Sequence, residues 1–220
     1  MRILVLVLSS AGEAAYDGLR DAWRSYMHTH PSIDSFFIEH HPVKEPWLDG
    51  DILRLPGEES FQTIRHKTLG AIEYFLQSSS YTHVVRTNLS SFWIFSRLID
   101  RLNACPPTRL FAGIFMGDGI SGAGICMTRD VAELLLARRD IVCLPGPGFF
   151  EWDDVSFGRA LIDVPRTHFG RFDMFDYRMF DVHVAQLPPD YFHIRLKQLD
   201  ATNRIREGEL MTKLVKLFYA

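Results

Sequence analysis

The stretch YTHVVRTNLSSFWIF, residues 81–95, places a strand-like segment directly before a polar one. Residues 82–86 are rich in β-branched side chains, which predicts a strand buried in a sheet. Residues 87–91 carry hydroxyl and amide side chains but no acid, and the aromatic residues from Phe92 onward predict the start of a helix. Ligands of α/β proteins bind beyond the carboxyl ends of strands, so this polar segment is the first candidate site.

Strand-like and helix-like segments alternate through the first two-thirds of the chain. The predicted strands are Ile3–Leu8, 35–39, 50–55, 82–86, 109–115, 124–128 and 192–197. The predicted helices are 14–27, 60–77, 92–102, 129–138, 153–161 and 202–218. In the second of these helices, Phe61, Ile64 and Phe75 share one apolar side, so we expect them to be buried. The alternation predicts a single α/β domain with a mixed, mostly parallel sheet flanked by helices.

Composition narrows the class of protein. The 220 residues are 47% hydrophobic and carry a net charge of −3, so the chain can bury a sizeable core and has no basic excess for nucleic acid. Its three cysteines show no CxxC spacing and predict buried thiols rather than a zinc site. The first apolar run is too short for a membrane span, which needs about 20 apolar residues. We therefore expect a soluble chain without a membrane span.

An acidic and aromatic segment begins the helix predicted over 153–161. Asp153 and Asp154 stand at its first positions, where the helix dipole stabilises negative charge, and Phe150 and Trp152 come just before them. Aromatic faces beside carboxylates suit a sugar, because a ring can stack on C–H groups while a carboxylate accepts hydroxyl protons. The alternative is that Asp153 only caps the helix.

Three further segments could contact a ligand. Ser9 and Ser10 end the first strand and could bind a nucleotide or simply cap a helix, since the chain has no GxGxxG or P-loop motif. Alternation along the last strand puts His193, Arg195 and Lys197 on one face, which could bind a diphosphate or merely face solvent. The small residues at 121–124 predict either close backbone approach to a ligand or a turn between two strands.

Five segments, in this order, resemble one family. Ser9-Ser10 ends an opening strand, LRDAW at 19–23 is similar to IRxTW, and GDIL at 50–53 with SF at 60–61 and KT at 67–68 resembles GDIL…DSYxNLTLKT. SGAG at 121–124 followed by TRDV at 128–131 resembles SGxGYVLSRDV, and DDV at 153–155 with Gly158 resembles EDVYVG. The family is the β1,3-galactosyltransferase/fringe type of glycosyltransferases, and the resemblance covers roughly residues 2–160. It implies the GT-A fold, a Rossmann-like α/β architecture.

The resemblance implies an inverting transfer of a sugar from a nucleotide-sugar, with UDP as the first candidate, to a saccharide hydroxyl. Asp154 would be the base and Asp153 its neighbour. The expected donor ligands are Ser9, Ser10, Asp51, Arg86, Thr87, Asn88, Ser90, His193, Arg195 and Lys197. The expected acceptor ligands are Trp152, Phe150, Gly122 and Gly124. The alternative is an inactive protein of the same fold that binds glycans or nucleotides.

The opening stretch departs from the family. Relatives carry KTDDDTF, in which the outer aspartates of a DxD motif hold a divalent metal, but this chain has Asn88 and Ser90 at those positions. Neutral oxygens are poor sole ligands for Mn²⁺ or Mg²⁺, which puts the metal in doubt. Two alternatives stay open: a divalent metal on the donor diphosphate, or basic side chains that meet its negative charge without a metal.

The resemblance also predicts how the chain is organised and where the protein acts. It predicts a nucleotide-sugar half over 1–100, an acceptor half with the catalytic acids over 101–200 and a terminal helix over 201–220. Because the sequence shows no membrane segment, we expect a cytoplasmic enzyme of microbial or viral origin rather than a Golgi resident.

Overall fold

The computed structural model describes residues 1–10, 12, 16–117, 119–144, 152–174, 177–196 and 204–220. The chain divides into two compact units, each assembled from three segments. Unit 1 comprises Met1–Ala11, Ser32–Asn88 and Pro106–Phe169. Unit 2 comprises Gly12–Pro31, Leu89–Cys105 and Gly170–Ala220.

The predicted strands and helices occur in the predicted order, and the structure adds four short strands and two short helices that the sequence did not predict. The strands are β1 (Ile3–Leu8), β2 (Ile33–His41), β3 (Trp47–Asp49), β4 (Ile52–Pro56), β5 (His83–Asn88), β6 (Ser91–Trp93), β7 (Phe111–Met116), β8 (Gly119–Thr128), β9 (Arg166–His168), β10 (Phe172–Met174) and β11 (His193–Leu196). The helices are α1 (Asp17–Arg24), α2 (Ile64–Leu76), α3 (Phe95–Asn103), α4 (Arg129–Ala137), α5 (Arg139–Cys143), α6 (Asp153–Ala160), α7 (Phe180–Ala185) and α8 (Arg204–Phe218). Within the described residues, no helix combines the length and the hydropathy needed to cross a membrane.

Unit 1 contains an eight-stranded sheet in the order β3-β4-β2-β1-β5-β8-β7-β9. Neighbours run parallel at β4–β2, β2–β1, β1–β5 and β7–β9, and antiparallel at the other three pairs. This mixed, mostly parallel sheet flanked by helices confirms the predicted fold class. Because β1, β2 and β5 are parallel neighbours, their carboxyl ends lie at the same edge of the sheet, where α/β proteins bind ligands.

The core of unit 1 lies between this sheet and its helices. β1 is an almost unbroken apolar run because both faces of a central parallel strand are covered. Buried side chains of α2, α4 and α6, among them Ile72, Leu135 and Phe157, pack against Leu4 and Met127 of the sheet. This packing places the first turn of α6 beside β8. A Cβ added at Gly119 of β8 would collide with the carbonyl group of Asp154.

Unit 2 contains a three-stranded sheet in the order β10-β11-β6 together with α1, α3, α7 and α8. Its interior is aromatic: the ring of Tyr26 contacts those of Trp23, Phe92, Phe95 and Tyr219 at centroid separations of 4.9–5.4 Å. α1 packs against α8. The close approach uses Gly208, where an added Cβ would lie 3.0 Å from the carbonyl carbon of Gly18.

Three sequence predictions differ from the structure. The helix predicted from Phe92 begins at Phe95, because Ser91–Trp93 pairs with β11 as a strand. Residues 121–123, which lie between the strands predicted over 109–115 and 124–128, belong to β8 and continue its ladder. The helix predicted from residue 60 begins at Ile64, because Phe61–Thr63 forms a 3₁₀ turn; Phe61 therefore leaves the apolar side of the helix and is exposed.

Tyr219 provides a test of the unit 2 interior. Its hydroxyl donates to the carbonyl of Trp93 at 2.7 Å and accepts from the N–H of Phe95 at 2.8 Å. We expect Tyr219→Phe to lower the free energy of unfolding by about 1–3 kcal/mol, because both backbone groups lose their partner. Urea denaturation measures the change. Tyr191→Phe is the matched control, since its hydroxyl has no hydrogen-bond partner among the described residues; equal losses in the two variants would contradict the prediction.

Candidate active site

A buried ion pair joins the centre of the unit 1 sheet to the first turn of α6. Arg86 lies on β5 opposite Ile125 of β8 and is only 2% exposed. Its Nη2 donates to Oδ2 of Asp153, whose side chain is 11% exposed, and its Nη1 donates to Oδ1 of Asn88 at 3.2 Å. The sequence predicted Arg86 as a ligand of the donor diphosphate. In the structure its charge is instead paired with Asp153.

Burial opposes the charge of both partners. It raises the pKa of Asp153, and the guanidinium of Arg86 counteracts that rise. It also lowers the pKa of Arg86, against the attraction of Asp153 and Asp154. Because a guanidinium does not lose its proton in proteins, the positive charge is permanent and the carboxylate beside it is stabilised as an anion. Asp153 therefore serves as a counter-ion and is poorly suited to accept a substrate proton.

Gly122 of β8 makes room for this ion pair. A Cβ at this position would lie 2.6 Å from Nη1 of Arg86 and 3.3 Å from Oδ1 of Asp153. The sequence predicted that the backbone at Gly122 and Gly124 approaches an acceptor ligand. The structure shows a close approach to protein groups instead: Arg86 lies against Gly122, and a Cβ on Gly113 would collide with the carbonyl of Gly124.

Asp154 follows the ion pair and is held by backbone groups. Its Oδ1 accepts from the N–H of Val155 at 3.0 Å, and its Oδ2 accepts from the N–H of Gly122 at 3.3 Å. The side chain is half-buried, and each carboxylate oxygen can accept more than one hydrogen bond. Asp154 is thus an oriented carboxylate at a helix N-terminus, and it is better placed than Asp153 to accept a proton.

Two exposed aromatic rings lie beside these acids. Trp152 is the N-cap residue of α6 and is 63% exposed. Phe61, in the turn before α2, is 75% exposed and meets Trp152 edge to face, with 6.4 Å between ring centroids and 72° between planes. The sequence prediction included Trp152 but missed Phe61, because helical spacing assigned that ring to the core. Phe150 lies outside the described residues.

A buried polar network fills the carboxyl end of β1. The hydroxyl of Ser9 donates to Oε1 of Glu39 at 2.7 Å, and the carbonyl of Ser9 accepts from Nζ of Lys67 at 2.8 Å. Lys67 also pairs with Glu59, and burial lowers its pKa. Ser9, predicted as a donor ligand, is buried and its hydroxyl points into this network. These hydrogen bonds hold Ser9 within the network at the end of β1.

The sequence contains a local signal for the burial of Lys67. Lys67 stands three residues after Ile64 and four before Ala71, both of which belong to the predicted apolar side of α2. Residues at these spacings share a helix face, so a lysine there predicts a buried charge that needs an anionic partner. Glu39 and Glu59 could not be found this way, because they come from a separate strand and a separate turn.

The remaining predicted donor ligands of unit 1 differ in accessibility. Thr87 is buried, and its hydroxyl donates to the carbonyl of Ala123 at 2.8 Å, so this donor is already used within the sheet. Ser10, Asp51 and Asn88 are half-buried. Those three side chains stay predicted donor ligands.

In unit 2, His193 is not the cation that strand alternation predicted. It is 4% exposed and its ring stacks on Trp93, with centroids 4.1 Å apart and planes 6° apart. Burial holds the pKa of His193 well below its usual range, and the positive charges of Arg171 and Arg195 lower it further. The ring is therefore neutral near pH 7 and belongs to the core of unit 2.

The other predicted donor ligands of unit 2 are described only in part. Ser90 is buried, and its carbonyl accepts from the N–H of Leu196 at 2.8 Å. Arg195 is half-buried, and its Nη1 donates to the hydroxyl of Ser91 at 3.4 Å. Lys197 lies outside the described residues. Arg195 and Lys197 stay predicted ligands of a phosphate group.

The side chains at the end of β5 do not fit a divalent metal. The family resemblance would place such a metal at Asn88, but Oδ1 of that residue accepts a hydrogen bond from Arg86. A divalent cation at this oxygen would be repelled by the guanidinium, and the neighbouring carboxylate of Asp153 is already paired with it. Neutral amide oxygens are also weak ligands compared with carboxylates.

The fold matches solved glycosyltransferases at low sequence identity. A glycosyltransferase involved in glycosylation of the major capsid of PBCV-1 is 10% identical, with a TM-score of 0.63 over 97% of this chain and 100% of that one. GlyE of Streptococcus pneumoniae TIGR4 is 11% identical, with a TM-score of 0.57 over 96% of this chain and 60% of that one. The galactosyltransferase LgtC, solved with donor and acceptor sugar analogs, is 10% identical, with a TM-score of 0.52 over 96% and 95%.

These likenesses establish the class of fold. The chain has the GT-A-like α/β fold of glycosyltransferases. No protein-family model and no curated protein sequence matches the chain. The narrower resemblance to the β1,3-galactosyltransferase/fringe type stays a prediction.

The ion pair predicts a specific loss of stability. We expect Arg86→Met to lower the free energy of unfolding by about 3–5 kcal/mol, because Asp153 would remain as a buried charge without its partner. Adding Asp153→Leu should recover much of that loss, since no unpaired charge remains. The control is Arg54→Met, which breaks the more exposed pair with Asp49 and should cost below about 1 kcal/mol. If Arg86→Met and Arg54→Met lost a similar amount of unfolding free energy, the buried pair would contribute no more to stability than the exposed one, and the prediction would be wrong.

His193 predicts a pH dependence. Its pKa is lower in the folded than in the unfolded state, where it is about 6.5, so acid favours the unfolded state. Between pH 6.5 and 5.5 this group should remove about 1 kcal/mol of stability. His193→Phe keeps the stacked ring without the titrating nitrogen and should flatten the pH profile of urea unfolding. The control His28→Phe changes an exposed histidine; a profile for His193→Phe as steep as that of His28→Phe would contradict the assignment.

Proposed function

We propose that this protein is an inverting glycosyltransferase that moves a sugar from a nucleotide-sugar to a saccharide hydroxyl without a metal ion. The observation that carries the proposal is the carboxylate of Asp154, which two backbone N–H groups orient next to a buried ion pair and an exposed tryptophan. The GT-A-like fold supports sugar transfer as the class of reaction. UDP is the first nucleotide to test.

In the proposed reaction Asp154 accepts the proton of the acceptor hydroxyl. The acceptor oxygen forms a bond to the anomeric carbon of the donor sugar while the bond from that carbon to the phosphate oxygen breaks. The electron pair of the broken bond leaves with the nucleoside diphosphate, and in-line attack inverts the anomeric configuration. A positioned base of this kind contributes about 10²–10⁴-fold to a rate.

Arg86 and Asp153 support this step by positioning Asp154 rather than by contacting the reacting atoms. Their ion pair fixes the first turn of α6, so that Asp154 remains at the N–H of Gly122. Ser10, Asp51 and Asn88 are the proposed donor ligands of unit 1, and Trp152 is the proposed acceptor contact. Ser9 and Thr87 support the strand ends through their buried hydrogen bonds rather than through contact with the donor.

The test is a screen of nucleotide-sugar hydrolysis, which needs no known acceptor because water replaces it. We expect release of the nucleoside diphosphate from at least one UDP-, GDP- or dTDP-sugar, and a decrease of about 10²-fold or more in Asp154→Asn. Asp140→Asn makes the same change at an exposed acid in the first turn of α5 and should leave the rate unchanged. Retained activity in Asp154→Asn would exclude it as the base.

The same assay decides the metal question and the alternative. EDTA should leave the rate within about twofold, because no step is assigned to a metal. Loss of activity in EDTA with recovery in Mn²⁺ would overturn the metal-free proposal. If no nucleotide-sugar is hydrolysed but UDP raises the unfolding temperature, the inactive nucleotide-binding alternative replaces the enzyme.

A further inference from the structure

The most exposed phenylalanine and tryptophan side chains in the described part of the chain contact each other. Phe61 and Trp152 are 75% and 63% exposed, and their rings meet edge to face. Exposing two large rings costs free energy, because each could bury about 150–250 Å² of surface. A contiguous pair of this kind points to a ligand rather than to chance exposure of a single side chain.

The backbone under each ring is fixed. Ser60 and Thr63 form a reciprocal capping box around the turn that carries Phe61, and the hydroxyl of Thr63 also donates to the carbonyl of Glu58 at 2.8 Å. The carbonyl of Trp152 accepts from the N–H of Ser156 at 3.1 Å, in the first turn of α6. The two rings are therefore presented on ordered turns, which reduces the entropy lost when a ligand binds.

Arginine side chains link the regions of α2 and α6 that follow the two rings. Nη1 of Arg65, on the first turn of α2, approaches the carbonyl of Leu144 at 3.4 Å and the hydroxyl of Ser156 at 3.5 Å. Nη2 of Arg159, on α6, donates to the carbonyl of Ile141 at 3.0 Å and approaches that of Leu144 at 3.3 Å. Side chains from α2 and α6 thus contact the same carbonyl, that of Leu144. The corner between the rings of Phe61 and Trp152 is therefore formed by linked parts of unit 1.

The chemistry of this corner suits a sugar ring. An aromatic face stacks on the C–H groups of a pyranose, and rings 72° apart offer two walls to one saccharide. The half-buried carboxylate of Asp154 lies two residues after Trp152 in the chain and can accept hydrogen bonds from hydroxyl groups. A stable protein–protein interface buries about 800 Å² on each partner, which is more than two rings of about 150–250 Å² supply.

We propose that Phe61 and Trp152 together form a two-walled platform for a pyranose with an unobstructed C–H face, and that this pyranose is the acceptor. Phe61 is the new member of the site and a determinant of saccharide specificity. The identification of the bound sugar as the acceptor rests on the proposed function. The binding of a saccharide by the two rings does not depend on catalysis.

The experiment measures binding of three probes, methyl β-glucopyranoside, methyl β-galactopyranoside and lactose, by saturation-transfer NMR of the full chain. We expect at least one probe to bind, and Phe61→Ala to weaken that binding about five- to tenfold through loss of one stacking wall. Phe61→Trp should retain binding because it keeps an aromatic face. Phe115→Ala, the same truncation at an exposed phenylalanine of β7, is the matched control and should bind like the parent.

The outcomes are distinct. Binding by Phe61→Ala equal to that of Phe115→Ala, or no binding of any probe to the parent chain, would overturn the platform. Self-association of the parent that disappears in Phe61→Ala, seen by light scattering, would replace it with a contact between copies. Saccharide binding without hydrolysis of any nucleotide-sugar would refute the proposed function but leave the platform standing. Hydrolysis without saccharide binding would refute the platform but leave the proposed function standing.

Discussion

The buried ion pair between Arg86 and Asp153 constrains most of the candidate site. An unpaired guanidinium at the centre of a sheet would be prohibitively unstable, so the first turn of α6 must supply its counter-ion. That requirement fixes glycine at position 122, where a side chain would collide with the guanidinium. It also places Asp154 against the backbone of β8. One electrostatic requirement therefore decides the orientation of a strand, a helix and the adjacent carboxylate.

The sequence predicted the sheet and the acidic start of α6, because apolar runs and acids at helix N-termini are local signals. It could not predict the partner of Arg86, since the two residues are 67 positions apart and only the fold brings them together. Tertiary pairing likewise turned residues 91–93 into a strand, although aromatic residues alone favoured a helix start. Phe61 was placed in the core because a 3₁₀ turn and an α-helix share their apolar spacing over one turn.

The absence of a carboxylate at the end of β5 agrees with the charges around it. The departure from the DxD pattern at Asn88 appeared in the sequence as a missing metal ligand. In the structure, the amide oxygen of Asn88 accepts from Arg86, a group that carries permanent positive charge. An aspartate at that position would compete with Asp153 for the same guanidinium. The neutral side chain and the buried pair therefore form one arrangement, which neither residue alone reveals.

The order of segments in the chain determines when each unit can fold during synthesis. All three segments of unit 1 have been made once residue 169 has been translated, but unit 2 joins residues 12–31 to residues beyond 170. α1 must wait for α8 before Gly18 and Gly208 can meet, a delay of roughly ten seconds or more at ribosomal rates. During that interval the side of α1 that packs against α8 is not covered by that helix. Unit 2 can therefore complete its packing only after all of unit 1 has been synthesised.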